Sequence, residues 1–395
     1  MPPLRLDYRD FPRHLYIQLP YSKSIAARQL LLKYIHREPL PTLPETEAAL
    51  LLYSQDIIVL LRALTALRHR PSGECLSVEC GESGTAMRFL IVLSLLEPAP
   101  TQLVGSQRLL HRIASDDLSF INTLGGEYRV DTSAHSITIY PPKVWAPRAI
   151  QPVWHSSQYA TAIEICNTYL SNPIPYSFDT ADPSYSYLLL TREVIAHPVD
   201  YIERDWSAAA FWYQLLSCSD QLRQITFPNL NPSSHQPDRQ LMQIYRFFGI
   251  ETYSTTQGVQ ARKVSQPTAE VLEIDLSQNL DLFLPIALTC VRIRKSFHIS
   301  GISHLRQKES NRIDAFLHNI AGYGITGFRA SSDHLYYDGT AAQTAATVTV
   351  DSCGDHRVAM AFGVYAVTEP SAVTVINHPE VVAKSYPGFF SALNL

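Results

Sequence analysis

Apolar residues recur at helical spacing in several segments of the chain. In SQDIIVLLRAL, Ile57, Leu60, Leu61 and Leu64 fall at positions i, i+3, i+4 and i+7, which form one face of an α-helix. Residues 237–249 and 311–324 repeat this spacing, and residues 115–126 contain a shorter version. These segments carry Ser, Asp or Asn near their starts, and the last three reach a Gly that favours a helix end. They predict helices that each cover a sheet with one apolar face.

Stretches rich in β-forming residues lie between these helices, namely ECLSVEC, HSITIYP, QITFPNL, VLEIDLS, SFHISGIS and TVTVDSC. A further helix-like run, SYLLLTREVIAH, begins near residue 186. The intervals suggest a βα unit of roughly 60–70 residues, repeated about six times. An ordinary α/β enzyme with unrelated helices fits the pattern as well. The length of 395 residues favours two domains, and without a low-complexity linker any boundary is expected to be a short crossover.

Composition narrows the possible functions. Charged residues make up 17% of the chain, the net charge is −4, and no basic run is present, so nucleic-acid binding is not expected. A mildly acidic protein can still contain a positive cleft. No apolar run approaches the roughly 18 residues of a membrane span, and the start lacks a signal-peptide core, which predicts a cytoplasmic protein. Cys75 and Cys80 have no histidine at zinc-site spacing and are interpreted as buried free thiols.

Cations or hydroxyls recur at predicted helix starts, at Lys23, Thr85, Ser156, Lys308 and Arg357. Each of these segments alone fits either an anion-binding helix start or a capped helix with surface cations. If the repeated helices point the same way, their positive ends would attract a substrate with several negative charges.

Two acidic residues stand out among these cations. Glu309 lies within two turns of Arg306, Lys308 and Arg312, so one carboxylate shares a segment with three cations. Asp281 is the single carboxylate within an apolar run, and because an unpaired buried charge is costly, it should be paired, end the helix or face a cleft. The chain has no GxSxG or HExxH motif and no Walker loop.

The order of several motifs resembles the 5-enolpyruvylshikimate-3-phosphate synthases, a family of enolpyruvyl transferases. SKSIAAR is similar to the family's SKSxSNR, GESGTAMR to GNAGTAMR, SSQYATAI to SSQFLTAL, and SYSYLLLT to its S-x-x-Y-I-x-x-T element. RDWSAAAF and NLDLFLPIA resemble further family segments, and RQKESNRI, GDHRVAMAF and AKSYPGFF resemble its C-terminal motifs. Because these motifs follow one another over nearly the whole chain, the resemblance is not confined to one segment.

The resemblance implies an α/β (α+β) fold, the inverse α/β barrel, with two similar domains of three βαβαββ units each. Residues 1–20 and 206–395 would form one domain and residues 21–205 the other, with the active site in the interdomain cleft. The implied reaction transfers the enolpyruvyl group of phosphoenolpyruvate to the 5-hydroxyl of shikimate 3-phosphate and releases phosphate. No metal or organic cofactor is expected, and the protein is expected to act as a monomer.

By the same resemblance, three residues are catalytic: Asp281, Glu309 and Lys23. The residues expected to bind shikimate 3-phosphate are Lys23, Ser24, Arg28, Ser156, Ser157, Gln158, Ser184, Asp281, His304 and Lys308. Those expected to bind phosphoenolpyruvate are Lys23, Gly84, Arg112, Gln158, Arg312, Arg357 and Lys384. No role is implied for Arg306, which would pair with a nearby acid.

The chain also departs from the family pattern. Glu82 and His304 stand where the family usually has Asn, Tyr21 replaces a Gly, Phe89 a Pro and Asn311 an Asp. A sister enzyme that uses UDP-N-acetylglucosamine shares the implied fold, but it typically has Lys-Asn where this chain has Lys23-Ser24, and a loop cysteine that this chain lacks. A catalytically idle relative that binds an anionic metabolite is the remaining alternative.

Overall fold

The computed structural model describes residues 2–150, 157–180, 182, 184–268, 271–340 and 347–393. Its helices are α1 Lys23–Ile35, α2 Glu47–Leu50, α3 Gln55–Arg68, α4 Gly84–Ser94, α5 Gln107–Ala114, α6 Ser119–Thr123, α7 Gln158–Asn167, α8 Tyr185–Ala196, α9 Trp206–Cys218, α10 Leu241–Ile244, α11 Phe283–Arg292, α12 Arg312–Gly322, α13 His356–Thr368 and α14 Phe389–Leu393. Short 3₁₀ turns lie at Pro237–Gln240, Tyr245–Phe248, Leu280–Leu282, Ser303–Gln307 and Pro379–Lys384. Among the described residues, no helix has both the length and the apolar composition that a membrane crossing requires.

The strands are short and alternate with these helices. They are β1 Leu4–Leu6, β2 His14–Tyr16, β3 Leu76–Gly81, β4 Thr101–Gly105, β5 Glu127–Asp131, β6 Ser136–Tyr140, β7 Gln224–Pro228, β8 Ile250–Thr255, β9 Gly258–Lys263, β10 Leu272–Asp275, β11 Phe297–Ser300, β12 Phe328–Ala330, β13 Leu335–Tyr337, β14 Thr347–Asp351 and β15 Val373–Asn377.

The chain forms two compact units. Unit 1 consists of Met1–Ser22 and Glu203–Leu395, and unit 2 consists of Lys23–Ile202. Unit 1 contains two four-stranded sheets, with strand orders β2-β7-β9-β8 and β10-β11-β13-β12, and a three-stranded sheet with order β1-β15-β14. Unit 2 contains the four-stranded sheet β3-β4-β6-β5.

One topology is repeated in all three four-stranded sheets. The first two strands are parallel, and the last two form a hairpin whose second strand pairs antiparallel with the second strand of the sheet. Helices connect the parallel strands, as a crossover requires. Each of these sheets with its helices is therefore a βαβαββ unit, and the described residues contain three such four-stranded units where about six repeats were predicted. Within its described residues, unit 2 has one such sheet, and α1, α3, α7 and α8 have no sheet of their own there.

The predicted helix at residues 54–64 is confirmed. It forms α3, where the side chain of Ser54 accepts a hydrogen bond from the backbone N–H of Ile57 at 3.3 Å. Its apolar face, including Leu60 and Leu64, is buried. Residues 311–324 form α12, and Gly324 has the left-handed backbone (φ 69°) that the helix end predicted.

Two other predicted helices are shorter or less regular. Residues 237–249 form two 3₁₀ turns on either side of α10, and they end at Gly249 with φ 75°. Residues 115–126 yield only α6, because the carboxylate of Asp117 accepts a hydrogen bond from the N–H of Ser119 and so holds a turn before the helix. The apolar spacing thus located the segments correctly and overestimated their length.

Central helices hold the core of unit 1 together. Almost every residue of α9, α11 and α13 is buried, including Trp206, Trp212 and Phe362. A helix that is apolar on all sides packs inside the protein instead of covering a sheet with one face. These three helices therefore differ from the four segments whose spacing predicted a single apolar face, and their N-terminal ends are held by the core.

The cysteines are free thiols. Four of them, Cys80, Cys166, Cys218 and Cys290, are buried, as was predicted for Cys80. The prediction is wrong for Cys75, which is exposed because it precedes β3 and takes no part in the packed strand.

Candidate active site

The helix starts of α12 and α13 bring acidic and basic side chains together in unit 1. Asn311 caps α12 by accepting a hydrogen bond from the N–H of Asp314 at 3.3 Å, and Asp355 caps α13 by accepting one from the N–H of Arg357 at 3.0 Å. These caps are the local reason why both helices begin where they do. Arg312 is the first residue of α12 and Arg357 is the second residue of α13, so the two caps fix the positions of both arginines.

Asp281 accepts hydrogen bonds from both arginines. Its Oδ1 is 2.8 Å from a terminal nitrogen of Arg312, and its Oδ2 is 2.7 Å from one of Arg357. Burial alone would raise the pKa of Asp281, but the charges of Arg357, Arg312 and Lys308 outweigh it and hold the pKa well below its ordinary value. The sequence indicated that this carboxylate should be paired, end the helix or face a cleft, and the structure pairs it with two arginines.

Arg312 connects two carboxylates. Its Nε donates to Asp355 at 2.8 Å while a terminal nitrogen donates to Asp281, and the Arg312 side chain is 3% exposed. Burial opposes the charge on this guanidinium, but Asp355 and Asp281 outweigh it and raise the pKa of Arg312. These side chains form a buried cluster of paired opposite charges, although Asp281 and Asp355 are more than 70 residues apart in the sequence.

Glu309 is held from both sides. Its Oε2 accepts a hydrogen bond from Nδ1 of His356 at 2.8 Å, and its Oε1 is 3.0 Å from Nζ of Lys384. Burial lowers the pKa of His356, although Glu309 opposes this. The imidazole is therefore assigned as neutral, with its proton on Nδ1, while its buried Nε2 has no hydrogen-bond partner in the described part of the chain.

Glu309, Asp355 and His356 place possible metal-ligand atoms within 4.8 Å of one another. Their charges are already paired with protein cations, since Lys384 contacts Glu309 and Arg312 contacts Asp355. Arg312, Arg357 and Lys384 also make this region unfavourable for a second positive charge. The cluster is better suited to bind an anion than a metal cation.

Lys308 and Arg306 have different electrostatic surroundings, although they are only two residues apart in the sequence. Burial lowers the pKa of Lys308, and the neighbouring charges of Asp281 and Asp238 oppose this shift. Arg306 is instead a surface residue whose guanidinium lies 3.3 Å from the carboxylate of Asp314. The expected acid partner of Arg306 is thus confirmed.

In unit 2, Lys23 begins α1 and forms an ion pair with Asp56. The Nζ–Oδ2 distance is 3.0 Å, and the Asp56 side chain is 4% exposed. Asp56 lies in the first turn of α3, where the sequence indicated only a capped helix. It fixes the direction of Lys23 and is a residue that the sequence analysis missed.

Arg28 is buried among neutral groups. Its guanidinium donates to the hydroxyls of Thr191 (2.9 Å) and Thr161 (3.3 Å) and to the carbonyls of Ser24 and Tyr187 (both 2.8 Å). Burial lowers the pKa of Arg28 to about 10, so the side chain stays charged at neutral pH. A buried cation among neutral oxygens favours the approach of an anion.

A second network surrounds Gln158, the first residue of α7. Its Oε1 accepts a hydrogen bond from Arg88 at 3.1 Å, and its Nε2 donates to the hydroxyl of Thr85 at 2.8 Å. Arg88 in turn donates to Asp116 at 2.7 Å. Arg88 and Asp116 therefore set the orientation of the Gln158 amide.

Gly84 leaves room for two arginines. A Cβ at this position would lie 3.0 Å from a terminal nitrogen of Arg88 and 3.7 Å from one of Arg112. Its place in the first turn of α4 puts backbone N–H groups close to both cations. The structure thus brings together Gly84, Arg112 and Gln158, which the resemblance assigns to one substrate.

We expect Gly84→Ala to weaken the binding of a substrate at these arginines. The added methyl group must displace the guanidinium of Arg88, and such overpacking costs about 1–3 kcal/mol. A loss of about 1 kcal/mol corresponds to roughly a fivefold rise in KM. Steady-state kinetics with phosphoenolpyruvate, the substrate that the resemblance assigns to Gly84, as the varied substrate test this, and an unchanged KM would contradict it.

The remaining predicted residues have less direct contacts. Ser184 donates to the carboxylate of Asp182 at 2.6 Å in a local turn, Ser157 is a buried residue before α7, and His304 lies in the 3₁₀ turn Ser303–Gln307. Ser156 lies outside the described residues. Glu82 is exposed in the turn between β3 and α4.

Asp355 and His356 belong to the motif GDHRVAMAF, but the sequence indicated no role for either residue. The sequence likewise indicated no role for Arg88, which lies in the motif GESGTAMR, and the residues missed altogether are Asp56, Asp116 and Asp238. A capping Asp followed by His-Arg was the available signal for the first pair. The other residues act through long-range partners, for which spacing along the chain gives no signal.

Two solved structures share the fold of this chain. The EPSP synthase from Acinetobacter baumannii matches with a TM-score of 0.67 at 16% identity, covering 100% of this chain and 98% of that one. The enolpyruvyl transferase NikO from Streptomyces tendae matches with a TM-score of 0.66 at 12% identity, covering 100% and 97%. The fold is therefore that of the enolpyruvyl transferases.

The family is established by sequence. The model of the family EPSP synthase (3-phosphoshikimate 1-carboxyvinyltransferase) matches residues 192–393, which is just over half of the chain. A 3-phosphoshikimate 1-carboxyvinyltransferase of Bacteroides fragilis (strain YCH46) is 27% identical over 403 residues, covering 95% of this chain and 94% of that protein. This chain belongs to the EPSP synthase family, as its motifs predicted.

Proposed function

We propose that this protein transfers the enolpyruvyl group of phosphoenolpyruvate to the 5-hydroxyl of shikimate 3-phosphate and releases phosphate. The observation that carries the proposal is the charge cluster of unit 1, where Asp281 and Glu309 lie among Arg312, Arg357 and Lys384. Two substrates with several negative charges need such cations, and proton transfer needs positioned carboxylates. Family membership supplies the identity of the substrates.

The addition step requires two proton transfers, and the elimination step requires the removal of one proton. In the addition step the 5-hydroxyl loses its proton as its oxygen bonds to C2 of phosphoenolpyruvate, and the methylene carbon gains a proton to become a methyl group. In the elimination step the methyl group loses a proton as the C–O bond to phosphate breaks. Asp281 and Glu309 are proposed to move these protons, since both are carboxylates held by defined partners.

We propose that Lys23, Ser24, Arg28, Ser156, Ser157, Gln158, Ser184, Asp281, His304 and Lys308 bind shikimate 3-phosphate. We propose that Lys23, Gly84, Arg112, Gln158, Arg312, Arg357 and Lys384 bind phosphoenolpyruvate. The support is the positive charge of Arg28 among neutral oxygens and the arginines beside Gly84. Positioning and electrostatic stabilisation supply most of the catalysis that this arrangement offers.

The ion pairs of Asp281 suggest how the site becomes active. With Arg312 and Arg357 as partners, Asp281 is a weak base, because its pKa is held far down. A phosphoenolpyruvate anion that binds the same two arginines competes for their hydrogen bonds, which raises the pKa of Asp281 and makes it a stronger base. Carbon-13 NMR of the Asp281 carboxyl tests this, since its pKa should rise when phosphoenolpyruvate binds.

Lys384 and His356 fix the position of the carboxylate of Glu309, the second proposed proton carrier. The neutral imidazole donates one hydrogen bond from Nδ1, which fixes the direction of the carboxylate without adding a full charge. Lys384 supplies the positive charge on the other oxygen. A proton on Glu309 could thus be delivered and recovered at a fixed position.

Release of phosphate in the presence of both substrates tests the proposed function. We expect purified protein to release phosphate and form the enolpyruvyl ether only when shikimate 3-phosphate and phosphoenolpyruvate are both present. Release with UDP-N-acetylglucosamine instead would favour the sister activity. Tight binding of shikimate 3-phosphate without any release would identify an inactive binding protein.

We further propose that the protein acts as a cytoplasmic monomer, with residues 1–20 and 206–395 in one domain and 21–205 in the other. The free thiols fit a reducing compartment, and the two compact units fit two domains. Light scattering coupled to size exclusion measures the mass in solution, and a value above 44.4 kDa, such as that of a dimer, would contradict the monomer.

A further inference from the structure

Asp238 is a buried carboxyl group next to the charge cluster of unit 1, and no role has yet been given to it. It lies in the 3₁₀ turn Pro237–Gln240 and is 2% exposed. The hydroxyl of Ser207 donates to its Oδ2, whereas its buried Oδ1 has no hydrogen-bond partner among the residues that the structure describes. A carboxylate oxygen in that position would lose its hydration without gaining a hydrogen-bond donor from the protein. This cost strongly favours the protonated form of the carboxyl group.

The surroundings of Asp238 connect it to the proposed catalytic residues. Asn279, two residues before Asp281, donates to the carbonyl oxygen of Pro237 at 2.7 Å and ties the two turns together. Ser207 lies in the first turn of α9, whose capping residue Asp205 accepts the N–H of Ser207 at 2.8 Å. The turn that carries Asp238 is therefore anchored to the elements on either side of it.

Four charged groups act on Asp238, and they lie at the start of α9, in the turn Leu280–Leu282, at Lys308 and in α13. Asp281 and Asp205 are negative neighbours, while Arg357 and Lys308 are positive ones. Burial, with the charge of Asp281 adding to it and Arg357 opposing it, raises the pKa of Asp238 to about 7. The carboxyl group thus titrates near neutral pH, at the place where anionic substrates are proposed to bind.

We propose that Asp238 is a positioning residue for the reaction, which keeps its proton while substrate is bound and so leaves Lys308 and Arg357 to the substrate anions. This inference rests on the proposed function. An ionised Asp238 would compete for the same cations and repel the phosphate group. Bound anions neutralise those cations, which raises the pKa of Asp238 further, so binding takes up a proton from solution.

These charges determine whether substrate affinity rises or falls with pH. The protonated form binds the anion more tightly, and therefore affinity falls as the pH rises through the pKa of the free protein. A phosphate monoester has its second pKa near 6 and is almost fully dianionic at pH 7.5. Proton uptake at pH 7.5 consequently reports on protein groups, chiefly Asp238 and Lys308.

Calorimetric titration with shikimate 3-phosphate in two buffers of different ionisation enthalpy measures this uptake. We expect the wild-type protein to take up a fraction of one proton at pH 7.5 and to bind about threefold more weakly at pH 8 than at pH 6.5, since one unit of pKa shift corresponds to a tenfold affinity change at most. Asp238→Asn should reduce the uptake, because only the contribution of Lys308 remains.

Ser207→Ala provides a second variant with a different expected sign. Loss of the Ser207 hydroxyl removes a hydrogen bond that favours the ionised form, so the pKa of Asp238 rises further. The maximum of the proton uptake against pH should then move to higher pH, whereas a purely structural role of Ser207 would leave the maximum in place. This variant also decides the matter if Asp238→Asn does not fold.

Two results would overturn the inference. Equal proton uptake in the wild type and in Asp238→Asn is one, and an unmoved maximum in Ser207→Ala is the other. If either occurs in protein that forms the enolpyruvyl product, the proposed function stands and only the role of Asp238 is refuted. Protein that neither binds shikimate 3-phosphate nor forms product refutes both.

Discussion

We expect Glu309→Gln to lower the turnover number by about 10²- to 10⁴-fold, the usual contribution of a general acid or base. Glutamine keeps the shape of the side chain and can still accept a hydrogen bond from Lys384, but it cannot donate and recover a proton. The dissociation constants of both substrates should change little. Single-turnover kinetics combined with equilibrium binding separate these two effects.

Glu164→Gln is a suitable control for this variant. Glu164 also accepts hydrogen bonds, from Arg192 at 2.7 Å and Tyr176 at 2.6 Å, but it lies outside the proposed binding residues. Its turnover should match the wild type. If Glu309→Gln were as active as Glu164→Gln, Glu309 would have no role in proton transfer.

We expect Arg312→Ala to affect both stability and binding. It would leave Asp355, which is fully buried, and Asp281 without their shared cation, and breaking a buried pair in this way costs about 3–5 kcal/mol. Loss of charge-assisted hydrogen bonds to phosphoenolpyruvate, each about 1.5–3 kcal/mol, should raise its KM by about 10- to 100-fold. Denaturant unfolding followed by the fluorescence of the buried Trp206 and Trp212 measures the stability of unit 1.

Arg306→Ala is the matched control, since it removes the same side chain from the same segment. The pair between Arg306 and Asp314 is exposed to solvent and is expected to contribute about 1 kcal/mol at most. The Arg306 variant should therefore retain both its stability and its KM for phosphoenolpyruvate. Equal losses in the two variants would show that the buried pairs of Arg312 contribute no more than the exposed pair of Arg306.

The stability of the cluster should also depend on pH, with a sign fixed by Asp355. Burial raises the pKa of Asp355, but Arg312 outweighs it, and the net pKa is lowered. A carboxyl group with a lowered pKa in the folded state stabilises the protein above its unfolded pKa of about 3.9. That stabilisation is lost as the pH falls through the lower folded value, so the cluster contributes to acid denaturation.

Several features of this protein were determined by the sequence alone. Apolar spacing located α3 and α12 because one face of each packs on a sheet, and Gly249 and Gly324 ended their segments because only the left-handed backbone completes those turns. The motifs identified the family because their residue types and order are specific over nearly the whole chain. Asp281 was expected to have a partner because an isolated charge is unfavourable inside a protein.

The tertiary structure determined which charged side chains contact one another. Asp281 is 31 residues from Arg312 and 76 from Arg357, and spacing along a chain does not indicate a contact at such a separation. The same holds for Lys23 with Asp56 and for the environment of Asp238. Burial removes water from these groups and brings their partners within 3 Å, so the ionisation of each depends on the whole cluster. The sequence thus determined the family and the participating residue types, whereas folding determined their charge states and directions.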